Sequence, residues 1–283
     1  MLNLGCGNRF HPSWVNLDIS PRHPSVLQHD VNRGIPFWDD HFDVVYHSHM
    51  LEHIRRRDVQ PFLQECRRVL KPGGILRVAT PDLERICELY LDRVRGATTA
   101  DAPAASDHEW LVLEMFDQIA REQSGGDMIA YLRQDQLPNQ SFVLERIGEE
   151  GREILHSIRR DKAPTKVSAR HGFASRVVRG IGRRANRVLP AIREALIKSW
   201  YGHDAPRALE IGKFRLGGEV HHWLYDRVSL SRALRDAGFC EPVARRAHES
   251  AIESWPKFHL DTTTAGEVIK PDSFFMEAAK PHL

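Results

Sequence analysis

Two stretches near the start of the sequence place glycines and a carboxylate at a spacing that could hold a nucleoside. Segment 2–4 is followed by Gly5-Cys6-Gly7, and the next apolar segment, 14–18, ends at Asp18. A Gly-x-Gly turn lets a ligand approach the backbone closely because no Cβ intervenes. A carboxylate at the end of the second strand can accept two hydrogen bonds from a ribose diol. The spacing predicts a nucleoside site; the alternative is a tight turn beside an exposed acid.

The same glycines argue against a dinucleotide. A dinucleotide fingerprint has a third glycine three residues after the second and an acid about 20 residues further on. Here Phe10 occupies the third position, and Asp18 comes too early. A pyrophosphate would also lose the helix N-terminus that it prefers. The pattern therefore favours a nucleoside without phosphate.

Alternating strands and helices are expected to position these residues. Apolar segments predict a largely parallel sheet covered by helices, because strand–helix alternation with short links is typical of that architecture. Lys71-Pro72-Gly73-Gly74 is expected to end one helix, and Asp82 to cap the next. The predicted strands are 2–4, 14–18, 43–46, 75–79, 242–247 and 273–278, and the predicted helices are 59–70, 82–95, 107–130 and 229–237.

The pattern changes between residues 96 and 217, which predicts three parts: a nucleoside-binding half at 1–95, a helical basic insertion or lid at 96–217, and a completion of the sheet at 218–283. Segment 152–198 contains thirteen Arg and Lys residues but only three acidic residues. The segment Val177 to Trp200 mixes basic and apolar residues, which is typical either of a solvated lid helix or of a helix on an anionic membrane surface. Nucleic acid is disfavoured, because no aromatic platform is present.

Four blocks in the first 85 residues resemble class I S-adenosylmethionine (SAM)-dependent methyltransferases of the type 11 small-molecule group. They are Leu4-Gly5-Cys6-Gly7, Asn16-Leu17-Asp18-Ile19, the run from Asp30-Val31 through Ile35-Pro36-Phe37 to Phe42-Asp43-Val44-Val45, and Glu65 to Gly74. They follow the family's order and spacing. The resemblance implies a Rossmann-like α/β sheet with helices on both faces, here carrying a helical insertion, and SAM as cofactor.

The resemblance also implies roles for individual residues. Asp18 would hold the ribose, Asp30 and Val31 the adenine, and the residues around His47 the methionine end of the cofactor. Asn3 stands where members of the wider class usually have an acid. The complete set of expected cofactor contacts is Asn3, Gly5, Cys6, Gly7, Asp18, Asp30, Val31, His47 and Ser48.

Three histidines are candidate proton acceptors. His53 closes the run His47 to His53, and His221 and His222 precede the predicted helix at 229. An imidazole has a suitable pKa to take a proton from a hydroxyl near neutral pH. Structural roles for all three are the alternative. No metal site is expected, because the sequence shows no further carboxylate or cysteine at ligand spacing.

Composition limits the remaining possibilities. The formal net charge is +2, four cysteines show no metal-binding spacing, and no segment resembles a signal peptide or a membrane span. We expect a cytoplasmic enzyme, with peripheral contact at the inner membrane face, that methylates a small molecule or a sugar in polysaccharide or glycolipid biosynthesis. Two alternatives are a non-catalytic scaffold with the same fold and another enzyme on that fold, an aminopropyl transferase or a nicotinamide-dependent dehydrogenase. The oligomeric state is not predicted.

Overall fold

The protein is built around one seven-stranded sheet, seen in a computed structural model that describes residues 1–97, 102–162 and 193–282. The strands are β1 (Leu2–Leu4), β2 (Val15–Asp18), β3 (Leu27–Gln28), β4 (Phe42–Ser48), β5 (Leu70–Pro81), β6 (Cys240–Arg245) and β7 (Ser273–Ala279). Their order is β3-β2-β1-β4-β5-β7-β6. The first five strands are parallel, and β7 runs antiparallel to β5 and β6. The predicted α/β fold is confirmed.

Seven helices are bounded within the described residues. They are α1 (Val59–Val69), α2 (Leu83–Ala97), α3 (Ala102–Ala120), α4 (Gly126–Leu132), α5 (Gln140–Lys162), α6 (Ala205–Arg215) and α7 (Arg227–Asp236). Residues 193–201 are helical as well. As predicted, Asp82 caps α2, where its Oδ1 accepts from the Arg85 N–H at 3.1 Å. Among the described residues, no helix combines the length and apolar character needed to cross a membrane.

Helical elements cover both faces of the sheet. On one face, Phe62 and Leu63 of α1 and Leu230 and Leu234 of α7 pack against the strands. On the other face, Trp255, in a short 3₁₀ helix at Trp255–Phe258, packs with Trp14 and Tyr46. Side chains on a strand alternate between faces, so neighbouring residues of β4 enter different cores. Both cores therefore combine apolar residues of the strands with apolar residues of the elements that cover them.

The helices between α2 and β6 include a group with its own apolar core, built on Trp110, Tyr131, Val143 and Leu155. The helix predicted over 107–130 is interrupted between Ala120 and Gly126, and Gly125 and Gly126 adopt positive φ angles of 79° and 51°. The sequence analysis missed α5 and the short strand β3. The proposed boundaries 1–95, 96–217 and 218–283 stay a prediction. Of the segment Val177 to Trp200, which mixes basic and apolar residues, only 193–200 lies within the described residues.

The link from β1 to β2 contains no helix over residues 5–14, all of which are described. Two paired asparagines on the strands hold it instead. Asn3 Nδ2 donates to the Arg9 carbonyl at 3.0 Å, and Asn16 Nδ2 donates to the His11 and Trp14 carbonyls at 3.0 and 2.8 Å. Asn3 and Asn16 lie opposite each other in the register. Buried amides thus fix a loop that has no helical hydrogen bonds of its own.

Helix α5 bends at Gly148, whose φ of 57° and ψ of −137° are not helical. At the bend the chain meets the segment before β7, where Glu149 N–H donates to the Ile269 carbonyl at 3.3 Å. A Cβ on Gly148 would lie 2.5 Å from that carbonyl oxygen and 2.5 Å from Pro271 Cδ. Glycine is therefore required for this close approach, which brings the following residues of α5 to the edge of the sheet.

Candidate active site

The glycine turn lies where the order of the sheet reverses, between β1 and β4. Ligands of open α/β sheets bind outside the carboxyl ends of the strands at such a point. Gly5 and Gly7 both have positive φ, 60° and 51°. A Cβ on Gly5 would lie 2.7 Å from Met50 Cγ, whereas a Cβ on Gly7 would meet no atom within 4 Å. The first glycine permits packing, and the second leaves the backbone open to a ligand.

Asp18, which the sequence analysis expects to hold a ribose, lies directly against this turn. Its Oδ2 accepts from the Gly7 N–H at 2.8 Å, and its Oδ1 accepts from the Ser20 N–H at 2.8 Å. Each carboxylate oxygen has two lone pairs, so both can accept a further hydrogen bond. The geometry therefore joins the acid and the glycine turn in one small surface.

A cavity of about 250 Å³ opens beside the turn. Five of the nine expected cofactor contacts line it: Asn3, Gly5, Cys6, Gly7 and Ser48. Burial raises the pKa of the Cys6 thiol to about 12, so this cysteine stays protonated and is not a nucleophile. The remaining lining comes from Asn8, Arg9, Tyr46, His49, Glu150, Glu153, Leu260, Asp261, Ile269, Lys270 and Phe275.

The hydrogen-bond acceptors and the open space beside Gly7 suit a nucleoside that carries an amino-acid tail. Gly7 leaves room next to an acid that can accept from a diol. Asn3 uses its amide N–H groups on Arg9 and Asn16, and its Oδ1 makes no hydrogen bond to a described residue. That oxygen can accept from an ammonium group but carries no charge.

Four of the expected contacts lie outside this cavity, one of them Asp18, which touches it through Gly7. Asp30 caps the short helix at Val31–Arg33 and accepts from the Asn32 N–H at 3.0 Å, and Val31 packs against the main core. His47 is fully buried against Phe62, with both ring nitrogens unpartnered among the described residues. Burial lowers its pKa to about 3. His47 faces the core because it is one residue out of phase with Tyr46 and Ser48.

A buried network forms one wall of the cavity. Tyr46 OH donates to Asp261 Oδ1 at 2.5 Å, and Arg77 Nε donates to Asp261 Oδ2 at 2.8 Å. Arg77 also donates to Glu277 Oε1 at 2.7 Å, and its guanidinium lies 4.5 Å from the centre of the Trp255 ring. Desolvation and the Asp261 charge raise the pKa of Tyr46 well above its ordinary value. The phenol therefore acts as a fixed donor.

A second cavity, of about 750 Å³, adjoins the first. The two share three lining residues, His49, Glu150 and Lys270. The second cavity lies between the sheet edge and helices α3 to α5. Its other lining residues are Arg22, His53, Trp110, Gln118, Arg121, Ser124, Gly125, Met128, Ile129, Leu132, Arg133, Ile147, Gly151, Ile154, Glu219, His221 and Asp272.

Two of the three candidate proton acceptors reach this second cavity. The rings of His53 and His221 lie 4.6 Å apart, edge to face. Burial is the main cause that lowers the pKa of His53 to about 4 and that of His221 to about 2, so both imidazoles are neutral at pH 7. His222 does not line either cavity; its backbone N–H donates to the Glu52 carbonyl at 2.6 Å.

The sequence analysis missed the residues at the junction of the cavities. His49 belongs to a run that had been singled out, but its contact with Ser273, Nε2 to Oγ at 2.6 Å, joins residues far apart in the chain. Lys270 lies 3.7 Å from Glu150, across the contact made by the α5 bend. No motif in the sequence marked Lys270 as a site residue.

Comparison with known families agrees with this geometry. Residues 2–78 match a family model described as a methyltransferase domain, and the match spans β1 to most of β5. This part of the chain is a type 11-like class I methyltransferase domain. Its cofactor is SAM, as predicted. No curated protein matches the chain.

Solved structures similar to the methyltransferase domain are distant. One is a chain of the complex between the Haloferax volcanii Trm112 methyltransferase activator and a protein assigned as a methyltransferase (12% identity, 99% of this chain, 82% of that chain, TM-score 0.35). A SAM-dependent methyltransferase from Mesorhizobium loti shares 20% identity over 29% of this chain and 46% of its own, with a TM-score of 0.23. The PH0226 protein from Pyrococcus horikoshii OT3 shares 22% identity over 30% of this chain and 50% of its own, with a TM-score of 0.25.

Proposed function

We propose that the chain transfers a methyl group from SAM to a small-molecule or saccharide acceptor, with SAM in the first cavity and the acceptor in the second. The observation that carries the proposal is the junction of the two cavities at His49, Glu150 and Lys270. Bound SAM supplies a methyl group that is already electrophilic on its sulfonium. The protein must then bring an acceptor atom close to that methyl and exclude water.

The residues that would hold SAM follow from the site. Asp18 would accept from the ribose diol while it keeps Gly7 in place. Asn3 in β1 and Ser48 at the end of β4 would contact the methionine part, and Gly5 and Cys6 would present backbone to it. We place Asp30 and Val31 near the adenine, further along the same edge. His47 would support this edge from the core without contacting SAM.

The second cavity suits an acceptor with several hydroxyl groups. Its lining combines polar side chains such as Gln118 and Glu219 with apolar ones such as Met128 and Ile154. Saccharides present the same mixture of hydrogen-bonding groups and apolar ring faces. His53 and His221 would face the acceptor and offer neutral lone pairs, whereas His222 would act only through its backbone. A role in polysaccharide or glycolipid biosynthesis is part of this proposal.

Calorimetry with SAM, S-adenosylhomocysteine and NAD tests the cofactor assignment. We expect saturable binding of the first two ligands and none of NAD. Binding of NAD alone would favour a dehydrogenase. A folded protein that binds none of them would support the non-catalytic scaffold and contradict the proposal. Transfer of a labelled methyl group to a panel of saccharides and small hydroxylated molecules then tests the acceptor class.

Asp18→Asn tests the ribose contact itself. We expect SAM affinity to fall by the value of a charge-assisted hydrogen bond, about 1.5–3 kcal/mol. Asp39→Asn is the matched control, because Asp39 is exposed and pairs with Arg68 outside both cavities. Equal SAM affinity in the two variants would contradict the role of Asp18.

Peripheral contact with an anionic membrane is proposed from the thirteen basic residues of 152–198. In the described part, Trp200 and Tyr201 are exposed at the end of the helix 193–201. Flotation with anionic liposomes at low and high salt tests this contact. Salt-sensitive binding would support it, and failure to bind at low salt would leave a solvated lid as the function of the segment.

A further inference from the structure

One cluster of side chains in the wall of the second cavity contains polar atoms without hydrogen-bond partners. Glu52 and His53 belong to the 3₁₀ turn at Leu51–His53, and His221 lies in the segment before α7. One ligand atom from each of the three residues lies within 4.8 Å of the other two. The topology therefore brings together one carboxylate and two imidazoles from positions 168 residues apart in the chain.

Glu52 and His221 are buried and His53 is half-buried, and one buried polar atom of each is unsatisfied. Glu52 Oε1, His53 Nδ1 and His221 Nδ1 have no hydrogen-bond partner among the described residues. Glu52 is 0% exposed and His221 is 3% exposed. His49 Nδ1 lies 3.4 Å from Glu52 Oε1 without hydrogen-bonding geometry. Leaving a buried polar atom unpaired costs about 1–3 kcal/mol, so three in one place require an explanation.

Other contacts hold these side chains in position. Thr80 Oγ1 donates to the second Glu52 oxygen, Oε2, at 3.3 Å. The backbone on both sides is fixed as well, because His221 N–H donates to the Gln118 carbonyl at 3.0 Å and His222 N–H to the Glu52 carbonyl at 2.6 Å. The unpaired atoms are thus placed by an ordered frame, as the supporting contacts of metal ligands are.

We propose that Glu52, His53 and His221 bind a divalent cation of the zinc class in the wall of the second cavity. Two imidazole nitrogens and one carboxylate oxygen form a known protein ligand set for Zn²⁺ and for other first-row divalent metals. Three protein ligands leave a further position for water or substrate. His53 and His221 also line the cavity, so that position would be open to the acceptor.

Four cationic side chains line the same cavity, those of Arg22, Arg121, Arg133 and Lys270. Arg121 is neutralised by Asp117 at 2.7 Å and by Glu219 at 3.2 Å, and Lys270 lies 3.7 Å from Glu150. Asp272 adds a carboxyl group to the lining. One carboxylate ligand would leave a bound divalent cation with excess positive charge. Such a centre favours an oxygen ligand that carries negative charge.

The use of this metal in catalysis rests on the proposed methyl transfer. A hydroxyl bound to a divalent cation loses its proton more readily, as water does on zinc. With their lone pairs on the metal, His53 and His221 would act as ligands instead of proton acceptors.

The test is calorimetric titration of the full chain, stripped with chelator, with Zn²⁺, and absorption spectroscopy with Co²⁺. We expect one tight site per chain and a visible cobalt spectrum that Zn²⁺ abolishes. His221→Gln should weaken Zn²⁺ binding by at least about 100-fold, since even supporting contacts of metal ligands change affinity by about 10–100-fold. His222→Gln is the matched control and should bind as the parent does.

Glu52→Gln and His53→Gln give independent readings if His221→Gln does not fold, which circular dichroism shows. No stoichiometric Zn²⁺ binding by the folded parent, or equal affinity in the His221→Gln and His222→Gln variants, would overturn the proposal. SAM titrations of the same proteins separate the two hypotheses. Intact SAM binding without a metal refutes only the metal site, whereas metal binding without SAM binding refutes only the proposed function.

Discussion

The Gly7 N–H donates to Asp18 Oδ2 at 2.8 Å, and this bond ties the middle of the β1–β2 loop to the end of β2. The acid that is expected to hold the ribose therefore also holds the glycine that leaves room for it. Loop and acid form one unit, because neither a helix nor a long side chain separates them. Changes to either residue should affect the same cavity.

Gly7→Ala should reduce SAM binding as well as stability. Alanine at a φ of 51° costs about 1–2 kcal/mol in the folded state, and its Cβ would enter the space open to the ligand. We expect SAM affinity to fall at least about tenfold, or 1.4 kcal/mol. Gly202→Ala is the control, since that glycine also has a positive φ and open space around it. Calorimetry on both variants would contradict the prediction if their SAM affinities were the same.

Arg77→Met should strongly destabilise the fold. The change leaves Asp261 and Glu277 buried without their common cation, and breaking such an arrangement costs about 3–5 kcal/mol. The free energy of unfolding in urea measures it. Arg85→Met removes an exposed pair with Glu88 and should cost less than about 1 kcal/mol. Similar losses in both variants would show that the buried network contributes no special stability.

Gly148→Ala should separate α5 from the cavities. Besides the cost of positive φ, the new Cβ would collide with the Ile269 carbonyl, so the contact between α5 and the segment before β7 must open. We expect a loss of about 2 kcal/mol or more in unfolding free energy. Gly212→Ala, in α6 with open space around it, should instead stabilise by about 0.5–1 kcal/mol. Opposite signs are the expected outcome, and a neutral Gly148→Ala would be inconsistent with the bend as described.

Asp272 should make stability depend on pH. Burial, followed by the Glu114 charge, raises its pKa from 3.8 to about 6. Between these values the folded state binds more protons than the unfolded chain, so this group's contribution to stability is present below pH 3.8 and is lost as the pH rises through 6. As the pH rises from 4 to 6.5, the unfolding free energy of Asp272→Asn should increase by about 1–2 kcal/mol relative to that of the parent. This is less than the full pKa shift implies, because the side chain is half-buried. The free energy of unfolding in urea is measured against pH for the parent, Asp272→Asn and the control Asp39→Asn. Parallel profiles of the parent and Asp272→Asn would contradict the prediction.

The parts of the fold that the sequence predicted are those that local patterns determine. Apolar segments ending at Leu4 and Asp18 marked β1 and β2, and helix α1 ends at Val69, just before the predicted stop at Lys71 to Gly74. Five of the nine expected cofactor contacts line the first cavity because they lie in β1, directly after it, or at the end of β4. His47 does not, since the face of a strand changes at every residue.

The rest depends on contacts between distant segments. No local pattern could place His221 beside Glu52, since the backbone of α3 and the 3₁₀ turn position it. The same holds for the bend at Gly148, where a Cβ would collide with the Ile269 carbonyl. A glycine in a helical pattern predicts only a weak point, and its use becomes visible once the partner surface is known.

Strand β7 lies between β5 and β6, although it follows both in the chain. Within the sheet, β6 is joined to the other strands only through β7. During synthesis, β6 therefore leaves the ribosome without a strand to pair with, and the edge of β5 stays uncovered until β7 arrives. Nascent chains that end between the two strands should bind chaperones that recognise exposed strand edges, and release from them should coincide with the appearance of β7.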